Sequence, residues 1–245
     1  MADAAPIFWV VIPAAGVGRR MESSLPKQYL SVMGKTILEH VVTRFLSLSV
    51  VAGVVVVVSP EDTIWQTMAL SSHPKVKTVM GGKERAHSVL NGLSALHDSL
   101  SENDWVLVHD AARPCIKPSD IFYLIERLKE HPVGGLLGLP QQETLKEVRS
   151  IYEHASGGLL ANIHKTVDRS LVWIAQTPQM FRFGLLKEAL TSAVASGKNV
   201  TDEAQAIELK ALSAMMVVGS AENIKLTYPD QLKIIRFILS EQEES

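Results

Sequence analysis

A doubly wound α/β domain on a mostly parallel sheet is the fold that this sequence predicts. Short, near-continuous runs of β-branched and other apolar residues look like strands buried on both faces. Segments with apolar residues at helical spacing alternate with those runs, which implies right-handed strand-helix-strand units. The chain has 245 residues, 47% of them hydrophobic, enough to bury the core of one large domain.

Strand-like runs are expected at Phe8 to Pro13, Val51 to Ser59, Val76 to Met80 and Trp105 to His109, with helices at Ile37 to Leu48, Glu61 to Leu70 and Glu84 to Leu100. The alternation breaks after Pro140. From Gln141 to about Lys165 the chain is polar and lacks long apolar runs, and a strand-like run resumes at Leu171 to Ala175. Such a stretch is too long for an ordinary connection, so it is expected to be a functional loop or a small projecting arm, at about 141–170. Helical patterns return at Phe183 to Ser196 and Thr201 to Leu212, a strand follows at Ala214 to Val218, and an amphipathic helix runs from Pro229 and Asp230 to about Leu239. No internal repeat interrupts this order. One domain, 1–245, with one excursion is the organisation expected.

Composition narrows the function. A net charge of −2 offers no general attraction to nucleic acid or to anionic membrane, so any affinity for phosphate must be local. The single cysteine, Cys115, excludes an internal disulfide and reads as a packed filler. The apolar start, Ala4 to Ala15, follows Asp3 and precedes Arg19 and Arg20, the wrong order of charges for a signal peptide. It reads as a first core strand. With neither an export signal nor a run long enough to span a bilayer, the cytoplasm is the expected location.

In parallel sheets ligands sit at the carboxyl ends of the strands, so the loops after Pro13, Met80 and His109 should line one site. The first carries Pro13-Ala14-Ala15-Gly16-Val17-Gly18-Arg19-Arg20-Met21 and then Pro26-Lys27-Gln28-Tyr29. Small residues let backbone N–H groups approach a polyphosphate, and Arg20 and Lys27 supply cations. A dinucleotide fingerprint fails here, because its third glycine would be Met21 and Glu39 falls within a helical pattern. A Walker motif ending at Gly34-Lys35-Thr36 fails as well, since its leading glycine would be Tyr29. A glycine turn with surface arginines explains the first loop equally well when it is taken alone.

The second loop, Gly81-Gly82-Lys83-Glu84-Arg85-Ala86-His87-Ser88, suits backbone contacts to a base or ribose, with the Ser88 hydroxyl further into a helix. A turn with a helix cap explains it equally well. The third, Val108-His109-Asp110-Ala111-Ala112-Arg113-Pro114, puts a carboxylate at the end of a buried strand, where it would serve a magnesium ion or a hydroxyl. The alternative is a structural pair between Asp110 and Arg113. His109 reads as a packed or hydrogen-bonded residue rather than a base.

Taken together, these loops resemble one family, the 2-C-methyl-D-erythritol 4-phosphate cytidylyltransferases of the non-mevalonate route to isoprenoid precursors. The resemblance continues through Thr166-Val167-Asp168-Arg169, Thr177-Pro178-Gln179, Thr201-Asp202-Glu203-Ala204 and Asn223-Ile224-Lys225, and so spans nearly the whole chain. It implies a Rossmann-like nucleotidyltransferase fold with a projecting dimerisation arm, a homodimer, CTP as donor, a methylerythritol phosphate acceptor and Mg²⁺ on the nucleotide phosphates. By the same resemblance Arg20 and Lys27 stabilise charge on the α-phosphate. Ala14, Ala15, Gly16, Gly82 and Ser88 hold the nucleotide and read cytosine. Asp110, Thr201 and Lys225 surround the acceptor phosphate or the metal, with Asp110 the candidate metal ligand. Thr144 and Arg169 match positions that an arm of the partner subunit supplies, Arg169 and Lys225 counting with Arg20 and Lys27 as catalytic. The family often has an acidic residue where Lys83 and His87 stand.

The residue set agrees with phosphoryl chemistry. An acceptor phosphate is ionised at neutral pH and needs no base, so neutralisation and alignment of two anions is what the reaction demands. Two other functions compete: a ribitol-5-phosphate cytidylyltransferase, which shares fold and loops, and a nucleotide-binding module without catalysis. The Thr-Val-Asp-Arg and Thr-Asp-Glu-Ala segments favour the methylerythritol enzyme over the first. Joint retention of Arg20, Lys27, Asp110 and Lys225 argues against the second.

Overall fold

The computed structural model describes residues 8–16, 25–154 and 156–244. Among them the chain forms eleven strands and six α-helices, in the order β1 (Phe8–Pro13), β2 (Ser31–Val32), β3 (Lys35–Thr36), α1 (Ile37–Leu46), β4 (Val51–Val58), β5 (Val76–Met80), α2 (Arg85–Ser94), β6 (Trp105–Val108), α3 (Pro118–Leu128), β7 (Gly134–Pro140), β8 (Leu145–Glu153), β9 (Leu159–Val167), β10 (Trp173–Arg182), α4 (Phe183–Ala195), α5 (Glu203–Glu208), β11 (Met215–Val218) and α6 (Gln231–Glu244). Seven strands make the central sheet, ordered β11-β7-β10-β6-β1-β4-β5. Every pairing in it is parallel except those of β10, which runs antiparallel to both β6 and β7.

Alternation along the buried strands builds two cores. Val10 and Ile12 of β1 with Val54, Val56 and Val58 of β4 face α1 and α3, while Val11, Val55 and Val57 face α2 and α4. This is the two-sided burial that the valine runs require. A third, smaller core joins Val32 and Ile37 to Leu226 and to Ile235 and Leu239 of α6. Local signals set the helix starts. Thr36 and Glu39 form a capping box on α1, the Thr36 side chain accepting from the Glu39 N–H and the Glu39 carboxylate from the Thr36 N–H. Pro118 opens α3, and the Asp202 side chain caps α5.

The structure corrects the sequence reading at several points. Glu61 to Leu70 is not an α-helix but two 3₁₀ turns, Trp65–Thr67 and Ala69–Ser72, with Asp62 accepting from the N–H groups of Ile64 and Trp65. The helices expected at Glu84 to Leu100 and Thr201 to Leu212 are shorter, and the last helix is longer. The strand expected at Leu171 to Ala175 begins at Trp173 and continues to Arg182. The polar stretch after Pro140 is a β-hairpin of β8 and β9, apart from the main sheet. β7 has no counterpart in the sequence reading, because Gly134, Gly135 and Gly138 disguise it. Gly134 takes φ +123°, and a Cβ on Gly135 would lie 2.0 Å from the Met215 carbonyl oxygen of β11. Glycine lets that strand pass between two close neighbours.

Candidate active site

The first crossover, through α1, carries the chain from β1 to β4 on one side, and the one through α2 returns it to β6 on the other. Loops at the carboxyl ends therefore diverge around β1 and open a cleft between them. Residues 13–16 line it from the first loop, 82–85 and Ser88 from the second, and 110–112 from the third, joined by Lys27, Gln28 and Lys225.

The first loop continues its strand, since the Ala14 N–H donates to the Val57 carbonyl at 2.7 Å. Lys27 sits on a 3₁₀ turn, Lys27–Tyr29, that is locked from both sides. The buried Gln28 amide donates to the Ala14 carbonyl at 2.7 Å, and the Tyr29 hydroxyl donates to Asp62 at 2.5 Å. The Lys27 ammonium donates to the Leu226 carbonyl at 2.9 Å. Arg20, the companion cation expected from the sequence, lies outside the described residues.

Gly81 is where the first and second loops touch. A Cβ there would fall 2.6 Å from that of Ala15 and 2.9 Å from the Ser88 hydroxyl, so only glycine permits this approach. The Gly82 N–H donates to the Ser88 hydroxyl at 3.1 Å, and that hydroxyl donates to the Glu84 carbonyl at 3.2 Å. Ser88 thus fastens the loop from within. Lys83 is exposed at the cleft, and His87 packs beside Gly82 with its Nδ1 buried.

In the third loop the Asp110 N–H donates to the Thr177 hydroxyl at 3.1 Å, which sits 3.0 Å from His109 Nδ1, while His109 Nε2 lies 3.0 Å from the Arg113 carbonyl. This chain of bonds fits an imidazole that carries its proton on Nε2. Burial holds the His109 pKa down at about 4, so the ring is neutral and packed, edge-on to Phe45. It is no base for the cleft.

Asp110 is the centre of the charge. Its Oδ2 lies 2.8 Å from Lys225 Nζ and 3.6 Å from Arg113 Nε, and its Oδ1 lies 3.3 Å from Arg85 Nη2. Burial alone would raise its pKa, but Arg85, Lys225 and Arg113 outweigh that and hold the carboxyl well below the usual carboxylate range. The structural pairing of Asp110 with Arg113 and the placing of Asp110 in the cleft are both real. Arg113 is fixed in turn by donating to the Asn223 carbonyl at 2.7 Å, and the Asn223 amide donates to the Thr177 carbonyl at 2.7 Å.

Thr201, Thr144 and Arg169 do not line this cleft. Thr201 is exposed and donates through its N–H and hydroxyl to Gln205, at 2.7 and 3.2 Å. Thr144 and Arg169 flank the hairpin, both exposed, with Arg169 donating to the Gln142 carbonyl. The sequence reading also gave no role to Arg85, Glu203 or Gln28. Arg85 and Glu203 pair across a separation of 118 residues, and although each lies in a noted motif, nothing local announces the contact.

Among the described residues no group of three or more His, Cys, Asp or Glu side chains is placed to hold a metal. Asp110 is a buried carboxylate at the edge of the cleft, and its Oδ1, with the single ion pair to Arg85, keeps a lone pair for a metal. That donor set fits Mg²⁺ of the kind that keeps several waters and is held by one carboxylate and the phosphates of a nucleotide. No helix among the described residues is long and apolar enough to cross a membrane.

Residues 8–241 match the family profile described as IspD, 2-C-methyl-D-erythritol 4-phosphate cytidylyltransferase. A 2-C-methyl-D-erythritol 4-phosphate cytidylyltransferase of Pseudomonas putida is 46% identical, the alignment covering 96% of this chain and 97% of that one. A crystal structure of 4-diphosphocytidyl-2C-methyl-D-erythritol synthase superposes with a TM-score of 0.79 at 37% identity, covering 96% of this chain and 99% of the other. That of the Francisella tularensis 2-C-methyl-D-erythritol 4-phosphate cytidylyltransferase gives a TM-score of 0.79 at 33% identity, covering 95% and 99%.

Proposed function

This chain belongs to the 2-C-methyl-D-erythritol 4-phosphate cytidylyltransferase family, and from that premise we propose how its own residues carry the reaction. The enzyme transfers a cytidylyl group from CTP to 2-C-methyl-D-erythritol 4-phosphate in isoprenoid precursor synthesis, giving 4-diphosphocytidyl-2-C-methylerythritol and pyrophosphate. An oxygen of the acceptor phosphate bonds to the α-phosphorus, the bond from that phosphorus to the bridging oxygen breaks, and pyrophosphate leaves with the electron pair. No proton has to move.

The observation that carries the assignment of roles is the meeting of Lys27, Asp110 and Lys225 with the small-residue loop in one cleft. Ala14, Ala15 and Gly16 hold the triphosphate with their backbone, and Lys27, with Arg20, meets the charge that grows on the α-phosphate. The loop of Gly82 and Ser88 reads the base, its shape held by the Ser88 hydroxyl. Lys225 meets the acceptor phosphate. Mg²⁺ would be held by Asp110 and the nucleotide phosphates and, when bound, neutralises their charge.

The working unit is a homodimer. β8 and β9 contain no buried residue, and Ile151, Leu159 and Ile163 are more than 60% exposed, so the hairpin has no core of its own. A second copy packed on it would cover those side chains and bring Thr144 and Arg169 to the partner's acceptor site. The reaction belongs in the cytoplasm, where CTP is made.

Pyrophosphate release measured with purified protein tests these roles. CTP with 2-C-methyl-D-erythritol 4-phosphate should turn over, while UTP, ATP, GTP and ribitol 5-phosphate should be used far less well. Comparable rates with UTP would overturn base reading by the Gly82–Ser88 loop, where Lys83 and His87 depart from the family's common acidic residues. Preference for ribitol 5-phosphate would reassign the acceptor.

A further inference from the structure

One ion pair at the cleft has no part in the chemistry described so far. Glu203, the first residue of α5, has a completely buried side chain, and both its oxygens accept from Arg85, at 2.6 Å from Nη1 and 3.0 Å from Nη2. The same Nη2 reaches Asp110 Oδ1 at 3.3 Å, and the other Asp110 oxygen holds the Lys225 ammonium at 2.8 Å. Both terminal nitrogens of Arg85 are therefore committed to carboxylates, although the residue lines the cleft.

Glu203 is anchored on its own side. Asp202 caps α5 by accepting from the Gln205 N–H at 2.9 Å, and it accepts from the Gln179 amide at 3.0 Å. The Gln179 side-chain oxygen accepts from the Ala204 N–H at 2.8 Å. The start of α5 is thereby tied to β10 in the main sheet. Without Arg85, the buried Glu203 would be an uncompensated charge. Without Glu203, the planar guanidinium would lose the bidentate grip that sets its orientation toward Asp110.

We propose that Arg85 and Glu203 are positioning residues, a buried pair that holds the Asp110 carboxylate and through it sets the Lys225 ammonium for the acceptor phosphate. This rests on the reading of Lys225 as the acceptor's cation. The pair explains why the Gly-Gly-x-Glu-Arg and Thr-Asp-Glu-Ala segments, far apart in sequence, both bear on one site. Thr201, two residues before Glu203, then belongs to the segment that carries the anchor.

The test is a double-mutant cycle on the full-length enzyme, with KM for each substrate and kcat measured separately. Glu203→Gln should raise KM for 2-C-methyl-D-erythritol 4-phosphate by roughly tenfold, the scale of coupling within one ion-pair network. KM for CTP should rise by no more than about threefold, because Asp110 reaches the nucleotide only through the metal. In a Lys225→Ala background the same substitution should have almost no further effect on the acceptor KM, because the residue it positions is gone. Arg85→Lys, at a less buried position, gives a second variant should Glu203→Gln fail to fold. It keeps the charge without the fork and should not rescue acceptor affinity. Multiplication of the two effects, or a CTP KM that rises in step, would overturn the proposal, as would unchanged kinetics in both variants. If Lys225→Ala alone leaves the acceptor KM unchanged, it is the role of Lys225 that fails. If it raises that KM while the Glu203 and Arg85 variants behave as wild type, only the positioning pair fails.

Discussion

The cleft and the hairpin are built in opposite ways. At the cleft the central charged groups have their place from the rest of the chain: Lys27 from Leu226, Arg113 from Asn223, Asp110 from three cations. On the hairpin the side chains of β8 and β9 stand largely exposed, and its ion pair of Lys165 with Glu147, at 3.2 Å, is half in solvent. The difference teaches that long-range bonds within the chain order the centre of the cleft. Thr144 and Arg169, at the base of the hairpin, stand exposed, with Arg169 donating to the Gln142 carbonyl, and in the proposed dimer a partner subunit would complete their setting.

Four experiments break or sharpen this contrast, from the largest expected effect to the smallest. Lys27→Ala should lower kcat by about a hundredfold to a thousandfold, the scale for one preorganised transition-state donor, while KM for CTP changes little. Arg20→Ala should do the same. Loss of CTP affinity at unchanged kcat would make Lys27 a simple phosphate clamp.

Thiol labelling compares the two regions directly. Burial pushes the Cys115 thiol up to about 12, and its side chain lies in the core beneath α6. A Leu159→Cys thiol on the hairpin, where the native side chain is 73% exposed, should react at least about a hundredfold faster, since Cys115 must wait for the fold to open. Equal rates would mean that the two regions are equally open.

Complementation asks whether the hairpin serves the other subunit. Inactive Arg169→Ala protein mixed with inactive Lys27→Ala protein, after subunit exchange, should recover roughly a quarter of wild-type activity. Half of the dimers are then mixed, and each mixed dimer keeps one intact site. If each subunit uses its own Arg169, every site keeps a defect and the mixture stays inactive. The smallest effect is expected at the hairpin ion pair. Glu147→Gln should change unfolding stability by less than about 0.5 kcal/mol, as for other solvent-exposed pairs. A loss above about 1 kcal/mol would show that a neighbouring molecule buries this pair.

Much of this architecture was legible in the sequence, for physical reasons that differ from place to place. Val51 to Val58 announces a strand buried on both faces, because water on either side would not tolerate that run. The stretch after Pro140 reads in the sequence as a functional loop or an arm and not as two strands, since residues such as Lys146, Glu147 and Lys165 show no apolar alternation when neither face meets a core. β7 was invisible because its glycines suit the neighbouring backbones rather than any strand preference. At the site, the motifs marked Lys27, Asp110 and Lys225. The bond from Arg85 to Glu203 is a long-range contact, and only the folded chain reveals it.

The hydrogen bond from Lys27 to the Leu226 carbonyl has a consequence for how the enzyme idles. Between turnovers this cation has a docking berth inside the protein, one residue along from Lys225, on a stretch whose Leu226 N–H donates to the Ala112 carbonyl at 2.8 Å. A lysine ammonium has three N–H donors, and one of them is given to this carbonyl. Ordering a long side chain costs about 1.5–2 kcal/mol in lost rotamer freedom. Anchored in this way, Lys27 meets much of that cost when the chain folds rather than when a nucleotide arrives.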